Sequence, residues 1–206
     1  MNIASLLRCH PRAVLALIAL ASLASVAGAL IGQHRYDMQP CPWCILQRIL
    51  YLAIAAVAGL AALMPTAGPA RIASGLSRAL SAGLVTLLAL AGAAAALYQN
   101  LVAAHQPSCD LTLADRIISG LGLDAWQPEV FEVRSSCADA AVALLGVPFE
   151  LWSLMLYGVI AVAAVLLMAP ASAADNTPWP DGEHSRGRRP VAAGIAAARG
   201  SGLISA

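Results

Sequence analysis

The 206-residue sequence contains no lysine, and charged residues of all kinds make up only 11% of it. An average soluble domain carries about 25% charged residues, so this composition argues against an ordinary soluble protein. The twelve basic residues are all arginines, and with eleven acidic residues the formal net charge is only +1. A general electrostatic attraction to nucleic acid is therefore not indicated. The sequence also lacks an internal repeat, and it has no strand pattern comparable in length with its apolar runs.

Hydrophobic residues make up 60% of the chain, and four long apolar runs dominate it. Each run approaches the roughly 20 residues that an α-helix needs to cross a bilayer. Because a helix satisfies its own backbone polar groups in lipid, the runs predict helices. Small residues recur in all four runs, which permits close contact between helices. The sequence therefore predicts an all-α membrane protein, a four-helix transmembrane bundle with spans at about residues 13–31, 45–64, 79–98 and 149–168.

The first apolar run allows a second interpretation. It has a basic start and an A-x-A-like end at Ala27 and Ala29, which are features of a cleaved signal peptide. Its apolar stretch is longer than the roughly 7–15 residues typical of such a peptide, and this length favours an uncleaved span.

The arginines are distributed unevenly between the two sides of the predicted bundle. Because cytoplasmic loops are enriched in arginine and lysine, the bias places both termini in the cytoplasm of a bacterium. Two loops, at about residues 32–44 and 99–148, then face the periplasm. The predicted organisation is a four-span domain over residues 1–170, followed by a disordered cytoplasmic tail over residues 171–206. The cytoplasmic side carries Arg8, Arg12, Arg71, Arg78, Arg186, Arg188, Arg189 and Arg199, whereas the other side carries Arg35, Arg116 and Arg134, with Arg48 at its border.

Four of the five cysteines fall in the two predicted periplasmic loops. Cys41 and Cys44 lie in the first loop, and Cys109 and Cys137 lie in the second. Disulfides persist in oxidising compartments, so this distribution is the one expected of disulfide chemistry. Cys9 is alone on the cytoplasmic side and is interpreted as a free thiol without a role.

The C-x-x-C pair favours redox chemistry over a structural staple. Cys41 and Cys44 enclose only two residues, and a bridge that short constrains the unfolded chain little. A pair at this spacing is more useful as a reversible dithiol, because one thiol can attack a mixed disulfide that the other has formed. Two alternatives remain, namely a pair of structural disulfides and a zinc site of four thiolates. Structural zinc sites usually present two closely spaced pairs, whereas Cys109 and Cys137 are far apart.

Arg48 follows Cys44 by four residues, so both would lie on one face of a helix that begins near Cys44. An ionisable residue within a membrane span indicates a functional site. The arginine cation and the positive end of the helix would both favour a thiolate at Cys44. The guanidinium would also donate hydrogen bonds to an oxygen-bearing acceptor. The alternative is that Arg48 only snorkels to the membrane edge.

The segment PCPWCILQR, residues 40–48, resembles the P-C-x-x-C-x-x-[QE]-R motif of the bacterial disulfide bond formation protein B (DsbB) family. The second loop is also similar to that family. It has Cys109 in PSCDL, a W-x-P-x-V-F segment, Cys137, and a G-x-P followed by a tryptophan that leads into the fourth run. The resemblance covers about residues 8–168.

The resemblance implies a thiol oxidase of the bacterial inner membrane. Such proteins re-oxidise a periplasmic DsbA-like dithiol oxidase of thioredoxin fold and pass the electrons to a membrane quinone, ubiquinone or menaquinone. Cys109 matches the cysteine that the partner attacks, and Cys137 matches its resolving mate, which implies the disulfides Cys109–Cys137 and Cys41–Cys44. The resemblance places Cys44 and Arg48 at the quinone. A bond between Cys41 and Cys137 would form, if at all, during turnover.

One part of the family pattern is missing from this sequence. Family members often carry an Arg-His pair late in the third span, where this chain has Gln99 and Asn100, so no histidine role is transferred. Two other functions stay open. One is a quinone-dependent dithiol oxidoreductase of the vitamin K epoxide reductase type, although its C-x-x-C tends to lie late in the bundle. The other is a non-enzymatic, disulfide-stapled four-span scaffold.

Overall fold

The structure is a computed structural model, and it describes residues 10–64, 71–105, 112–140 and 142–168, without the side chains of residues 71–75. Cys9, Cys109 and the predicted tail over residues 171–206 lie outside the described residues. Within the described residues the α-helices are α1 (Pro11–Tyr36), α2 (Pro42–Leu63), α3 (Arg71–Leu101), α4 (Leu113–Gly120), α5 (Leu123–Trp126), α6 (Pro128–Phe131) and α7 (Phe149–Met168). A 3₁₀ turn (Ala103–His105) follows α3, and an antiparallel hairpin of β1 (Ala143–Leu144) and β2 (Val147–Pro148) leads into α7.

Within the described part of the chain, four helical segments are long and apolar enough to cross a membrane, which confirms the predicted all-α, four-span architecture. They are α1, α2, Leu76–His105 and α7. Both α1 and α3 run beyond their predicted apolar stretches, because a helix continues for as long as its backbone groups are paired, whatever the polarity of its side chains. Large apolar side chains of the spans point away from the bundle, as contact with lipid requires. They include Leu17, Leu20, Leu60, Leu80, Leu87, Val159 and Val162.

Close packing between α3 and α7 depends on small residues. Along the bundle, α1 packs on α2, α2 on α3 and α3 on α7. At Gly92 of α3, an added Cβ atom would lie 2.3 Å from ring atoms of Tyr157, so only glycine fits against this ring. Tyr157 is fully buried and stacks on Tyr51 of α2 with ring centroids 4.2 Å apart. The buried residues of α3 that face the bundle include Ala82, Val85, Ala89 and Ala96.

The segment between α3 and α7 folds back over the N-terminal end of α2. Helix α4 starts with a capping box, in which the Thr112 hydroxyl accepts from the Asp115 backbone N–H and the Asp115 carboxylate accepts from the Thr112 backbone N–H. Ile118 of α4 and Phe131 of α6 are buried in one cluster with Ile45 of α2. This packing brings the second loop to the end of α2 that carries the C-x-x-C pair.

Candidate functional site

The cysteine pair forms the first turn of α2. Cys41 is the N-cap residue, with an extended backbone (φ −88°, ψ 168°), and its sulfur accepts a hydrogen bond from the Cys44 backbone N–H at 3.4 Å. Pro42 is at the first helical position, where a backbone N–H has no acceptor within the helix, so the missing N–H of proline leaves no helical hydrogen bond unmade. The two sulfurs are 3.0 Å apart, which is a contact between thiols and longer than the roughly 2.05 Å of a disulfide. The structure brings Cys41 and Cys44 together, and the disulfide between them stays a prediction.

Cys137 reaches the pair from the second loop. It is buried in one cluster with Cys41 and Trp43, and interactions with the Cys41 thiol and the Trp43 backbone N–H lower the pKa of its own thiol. The backbone N–H groups of Arg134 and Ser135 donate to the Pro40 carbonyl at 3.0 and 3.3 Å, which ties the second loop to the first beside Cys41. The structure thus places Cys137 against Cys41, whereas its predicted partner Cys109 lies outside the described residues.

The contact shifts the pKa values of the Cys41 and Cys137 thiols in opposite directions. The thiol of Cys41 interacts with the sulfurs of Cys137 and Cys44 and is buried, so the pKa of Cys41 is raised. The hydrogen bond from Cys41 lowers the pKa of Cys137 against the opposing effect of burial, and the Trp43 backbone N–H adds to the lowering. The thiolate is the nucleophile in disulfide exchange, and the burial of Cys137 beside Cys41 brings these two cysteines within reach of each other for such an exchange.

A pocket opens below the pair, between α1, α2, α3 and α7. Cys44 is partly buried and faces this pocket, together with side chains that are unusually polar for a membrane bundle. Buried polar groups inside a membrane span are costly and indicate function. The lining residues from the four helices include Ser25, Gly32, Cys44, Gln47, Arg48, Tyr51, Gln99, Glu150 and Ser153.

Arg48 lies one turn after Cys44, as the spacing predicts, and it is only 5% exposed. One terminal nitrogen, Nη1, donates to Oε1 of Gln33 at 2.8 Å and to the carbonyl of Val130 at 2.9 Å. Gln33 in turn donates to the carbonyl of Glu129 at 3.2 Å, so α1, α2 and α6 meet at this guanidinium. Its Nε atom is buried and has no acceptor among the described residues. Protein groups thus hold Arg48 at two acceptors, and its buried Nε donor is without an acceptor among the described residues.

Gln99, at the end of α3, hydrogen-bonds directly to the cysteine pair. Its Nε2 atom donates to the sulfur of Cys44 at 3.3 Å, and its Oε1 atom accepts from Nε2 of Gln47 at 2.8 Å. The next residue, Asn100, donates to Oε1 of Glu150 at 3.0 Å. Gln99 and Asn100 therefore contribute polar contacts where the family often has Arg-His. The only feature of the sequence that pointed to Glu150 as a site residue is that it is a carboxylate within an apolar run.

Among the described residues, no three His, Cys, Asp or Glu side chains are arranged to hold a metal ion. A site of four thiolates would also need Cys109, which lies outside the described part of the chain. The three cysteines that the structure describes are free thiols.

Comparisons with known proteins match the chain to one family over nearly its whole described length. A family model described as "Disulfide bond formation protein DsbB" matches residues 11–167. The chain is 41% identical to disulfide bond formation protein B 2 of Burkholderia lata over 147 residues, which cover 71% of this chain and 82% of the relative. It is 32% identical to disulfide bond formation protein B of Ralstonia nicotianae over 163 residues, which cover 79% of this chain and 96% of the relative. It is also 36% identical to disulfide bond formation protein B 1 of Pseudomonas syringae pv. syringae over 151 residues, which cover 72% and 83%.

Proposed function

The chain belongs to the DsbB family of disulfide bond formation proteins, and from this premise we propose that it is a quinone-linked thiol oxidase of the bacterial inner membrane. In this proposal it re-oxidises a periplasmic DsbA-like dithiol oxidase of thioredoxin fold and passes the electrons to ubiquinone or menaquinone. One observation carries the proposal. Cys137 of the second loop contacts Cys41, while Cys44 of the same C-x-x-C pair lines a polar pocket within the spans.

The cysteine contacts support a path for two electrons. The dithiol of the partner reduces the disulfide Cys109–Cys137 and itself becomes a disulfide. The thiolate of Cys137 then attacks Cys41 of the Cys41–Cys44 disulfide, and the backbone N–H of Trp43, which stays in place when Cys41 is oxidised, favours this thiolate. A bond forms between Cys137 and Cys41, and the electron pair of the broken bond goes to the sulfur of Cys44. The released thiol of Cys109 attacks Cys137, which restores the Cys109–Cys137 disulfide and leaves Cys41 and Cys44 reduced.

The pocket residues fit a quinone. A bound quinone supplies an acceptor for two electrons and two protons, which the cysteines alone do not provide. Arg48 lines the pocket and holds a buried Nε donor without an acceptor among the described residues. A buried unpaired donor is costly, and a quinone oxygen is an acceptor that would satisfy it. Gln99 orients the sulfur of Cys44 toward the same space by its hydrogen bond.

Purified protein tests the proposal when it is given a reduced DsbA-like partner and a quinone. We expect quinol to appear with the wild-type protein and to be lost when any one of Cys41, Cys44, Cys109 and Cys137 is replaced by serine. The matched control is Cys9→Ser, which should leave the rate unchanged. If no dithiol donor supports quinone reduction by the wild-type protein, the proposal fails and a non-enzymatic scaffold is favoured.

The proposed orientation can be tested with single reporter cysteines at the ends of the spans. In a variant whose native cysteines are serine, Tyr36→Cys at the end of α1 should react with a membrane-impermeant thiol reagent added to the periplasm. Leu63→Cys at the end of α2 should not react until the membrane is permeabilised. Both positions are well exposed, at 75% and 82%, so accessibility within the protein does not limit either reaction. The opposite labelling pattern would reverse the orientation derived from the arginine bias.

A further inference from the structure

Glu150 is a carboxyl group inside the membrane-spanning bundle. It lies in the first turn of α7, is 5% exposed, and lines the same pocket as Cys44 and Arg48. Its Oε1 atom accepts a hydrogen bond from Asn100. The ion pairs within the described residues join Arg134 to glutamates of the loop, so Glu150 has no salt bridge in that part of the chain. A buried carboxyl group without a counter-ion indicates more than a structural contact.

The proposed reaction needs groups that move protons as well as electrons. When Cys41 and Cys44 form a disulfide, two S–H bonds break, two electrons leave the sulfurs, and a quinone gains two O–H bonds. The hydrocarbon core of a bilayer holds no water, so these protons must pass through side chains or bound water. Apart from Glu150, the titratable or charged side chains that line the pocket are Cys44, Arg48 and Tyr51, all on α2.

The other titratable or charged side chains that line the pocket are less suited to proton transfer. Arg48 stays protonated under all ordinary conditions. The hydroxyl of Tyr51 is already engaged as a donor, to the carbonyl of Ser153 at 3.2 Å. Cys44 is the electron donor. Glu150 alone among them combines a carboxyl group, which both holds and releases a proton, with a place at the end of α7 next to the loops.

We propose that Glu150 is the proton-transfer residue of this pocket. The inference rests on the proposed function and deepens it. In its protonated state Glu150 would give one proton to a quinone oxygen as Cys44 and Cys41 give up two electrons, and the carboxylate would then take up one of the two protons that leave the thiols. A second transfer by the same route would deliver that proton, and Glu150 would take up the other thiol proton. The sum is two thiols and one quinone converted to one disulfide and one quinol, with Glu150 returned to its starting state.

A structural role must be separated from proton transfer. The hydrogen bond from Asn100 to Glu150 also ties α3 to α7, and an acidic residue in the first turn favours the start of α7. The variant Glu150→Gln keeps the side-chain length and an amide oxygen that accepts from Asn100, but it cannot hold and release a proton. Glu150→Asp keeps a carboxyl group at a shorter reach. Glu129→Gln is the control, since it removes an exposed carboxylate of the loop.

The first measurement is steady-state quinone reduction with a reduced DsbA-like partner. General acid–base catalysis typically contributes at least about 100-fold, so we expect kcat to fall about 100-fold in Glu150→Gln, with a small change in the KM for quinone. Glu150→Asp should recover part of the rate, and Glu129→Gln should match the wild type. Single-turnover oxidation of the partner by pre-formed disulfides, without quinone, should be unchanged in all variants.

The second measurement is the dependence of the quinone reduction rate on pH. Because the carboxyl group gives and takes up protons during turnover, the wild-type rate should depend on pH. That dependence should be weaker in Glu150→Gln, although Cys44, Arg48 and Tyr51 remain in place. Time-resolved infrared difference spectra during quinone reduction should show a transient carboxyl signal in the wild type and in Glu129→Gln, shifted in Glu150→Asp. If Glu150→Gln does not fold, that carboxyl signal still tests whether Glu150 transfers protons.

The outcomes separate this inference from the proposed function. If the wild-type protein reduces no quinone, the proposed function fails and the role of Glu150 fails with it. If the wild type is active and Glu150→Gln stays within about twofold of its rate with the same pH profile, only the proton-transfer role is overturned. A missing carboxyl signal in the wild type, or one that is unchanged in Glu150→Asp, would likewise overturn it.

Discussion

A protein with serine at both Cys44 and Cys109 should join Cys41 to Cys137 in a disulfide on mild oxidation. The structure buries Cys41 and Cys137 in one cluster, where their side chains interact. The hydrogen bonds from Arg134 and Ser135 to Pro40 hold the two loops together at this point. Because the reacting atoms are already adjacent, little chain entropy opposes the bond. Mapping of linked peptides by mass spectrometry after alkylation of free thiols measures the product.

The matched control has serine at Cys41 and Cys109, so that Cys44 and Cys137 remain. The described hydrogen bonds of Cys44 run to Cys41 and Gln99, and its sulfur faces the pocket instead of Cys137. We expect this variant to form its disulfide at least about tenfold more slowly, because the loop must move before the sulfurs meet. Neither variant should reduce quinone, because each lacks one member of the C-x-x-C pair. Equal rates of bond formation would contradict the assigned contact between Cys41 and Cys137.

The sequence predicted those features of the fold that depend on local patterns. Apolar runs of about 20 residues predicted the four spans, because the thickness of a bilayer sets the length of a helix that crosses it. The four-residue step from Cys44 to Arg48 predicted that both side chains lie on one face, because the helical repeat fixes that relation. The start of α2 also follows from the sequence, since proline at the first helical position favours a helix start.

The contacts that build the pocket could not be predicted in this way. Asn100 and Glu150 are fifty residues apart in the chain, and Gln33 and Val130 reach Arg48 from two separate elements. Which of these residues meet depends on how the helices pack against one another, and the local periodicity of the sequence does not determine that packing. The only signal in the sequence was the presence of polar side chains next to or within apolar runs. In a membrane protein that signal indicates a site without indicating which side chains meet there.

Replacing Arg48 with alanine should weaken the apparent affinity for quinone about 10- to 100-fold, since a hydrogen bond to a charged group contributes about 1.5–3 kcal/mol. The variant removes the guanidinium, with its unpaired Nε donor, from the pocket lining, and also the hydrogen bonds from Nη1 to Gln33 and Val130. Arg48→Lys keeps the charge but loses the planar fork, so it should show a smaller loss. The measurement is the rate of quinone reduction as a function of quinone concentration.

A control is needed because Arg48 also holds α6 against the bundle. Gln33→Leu breaks the bonds from Gln33 to Arg48 and to the Glu129 carbonyl, but it leaves the cation and its Nε atom in the pocket. It should therefore lower the temperature of unfolding with little change in the KM for quinone. Single-turnover oxidation of the partner by pre-formed disulfides should persist in Arg48→Ala, since the contact between Cys41 and Cys137 does not involve the guanidinium. If Gln33→Leu raises the KM as much as Arg48→Ala does, Arg48 acts by positioning the loop. If Arg48→Ala leaves the dependence on quinone unchanged, Arg48 has no part in binding it.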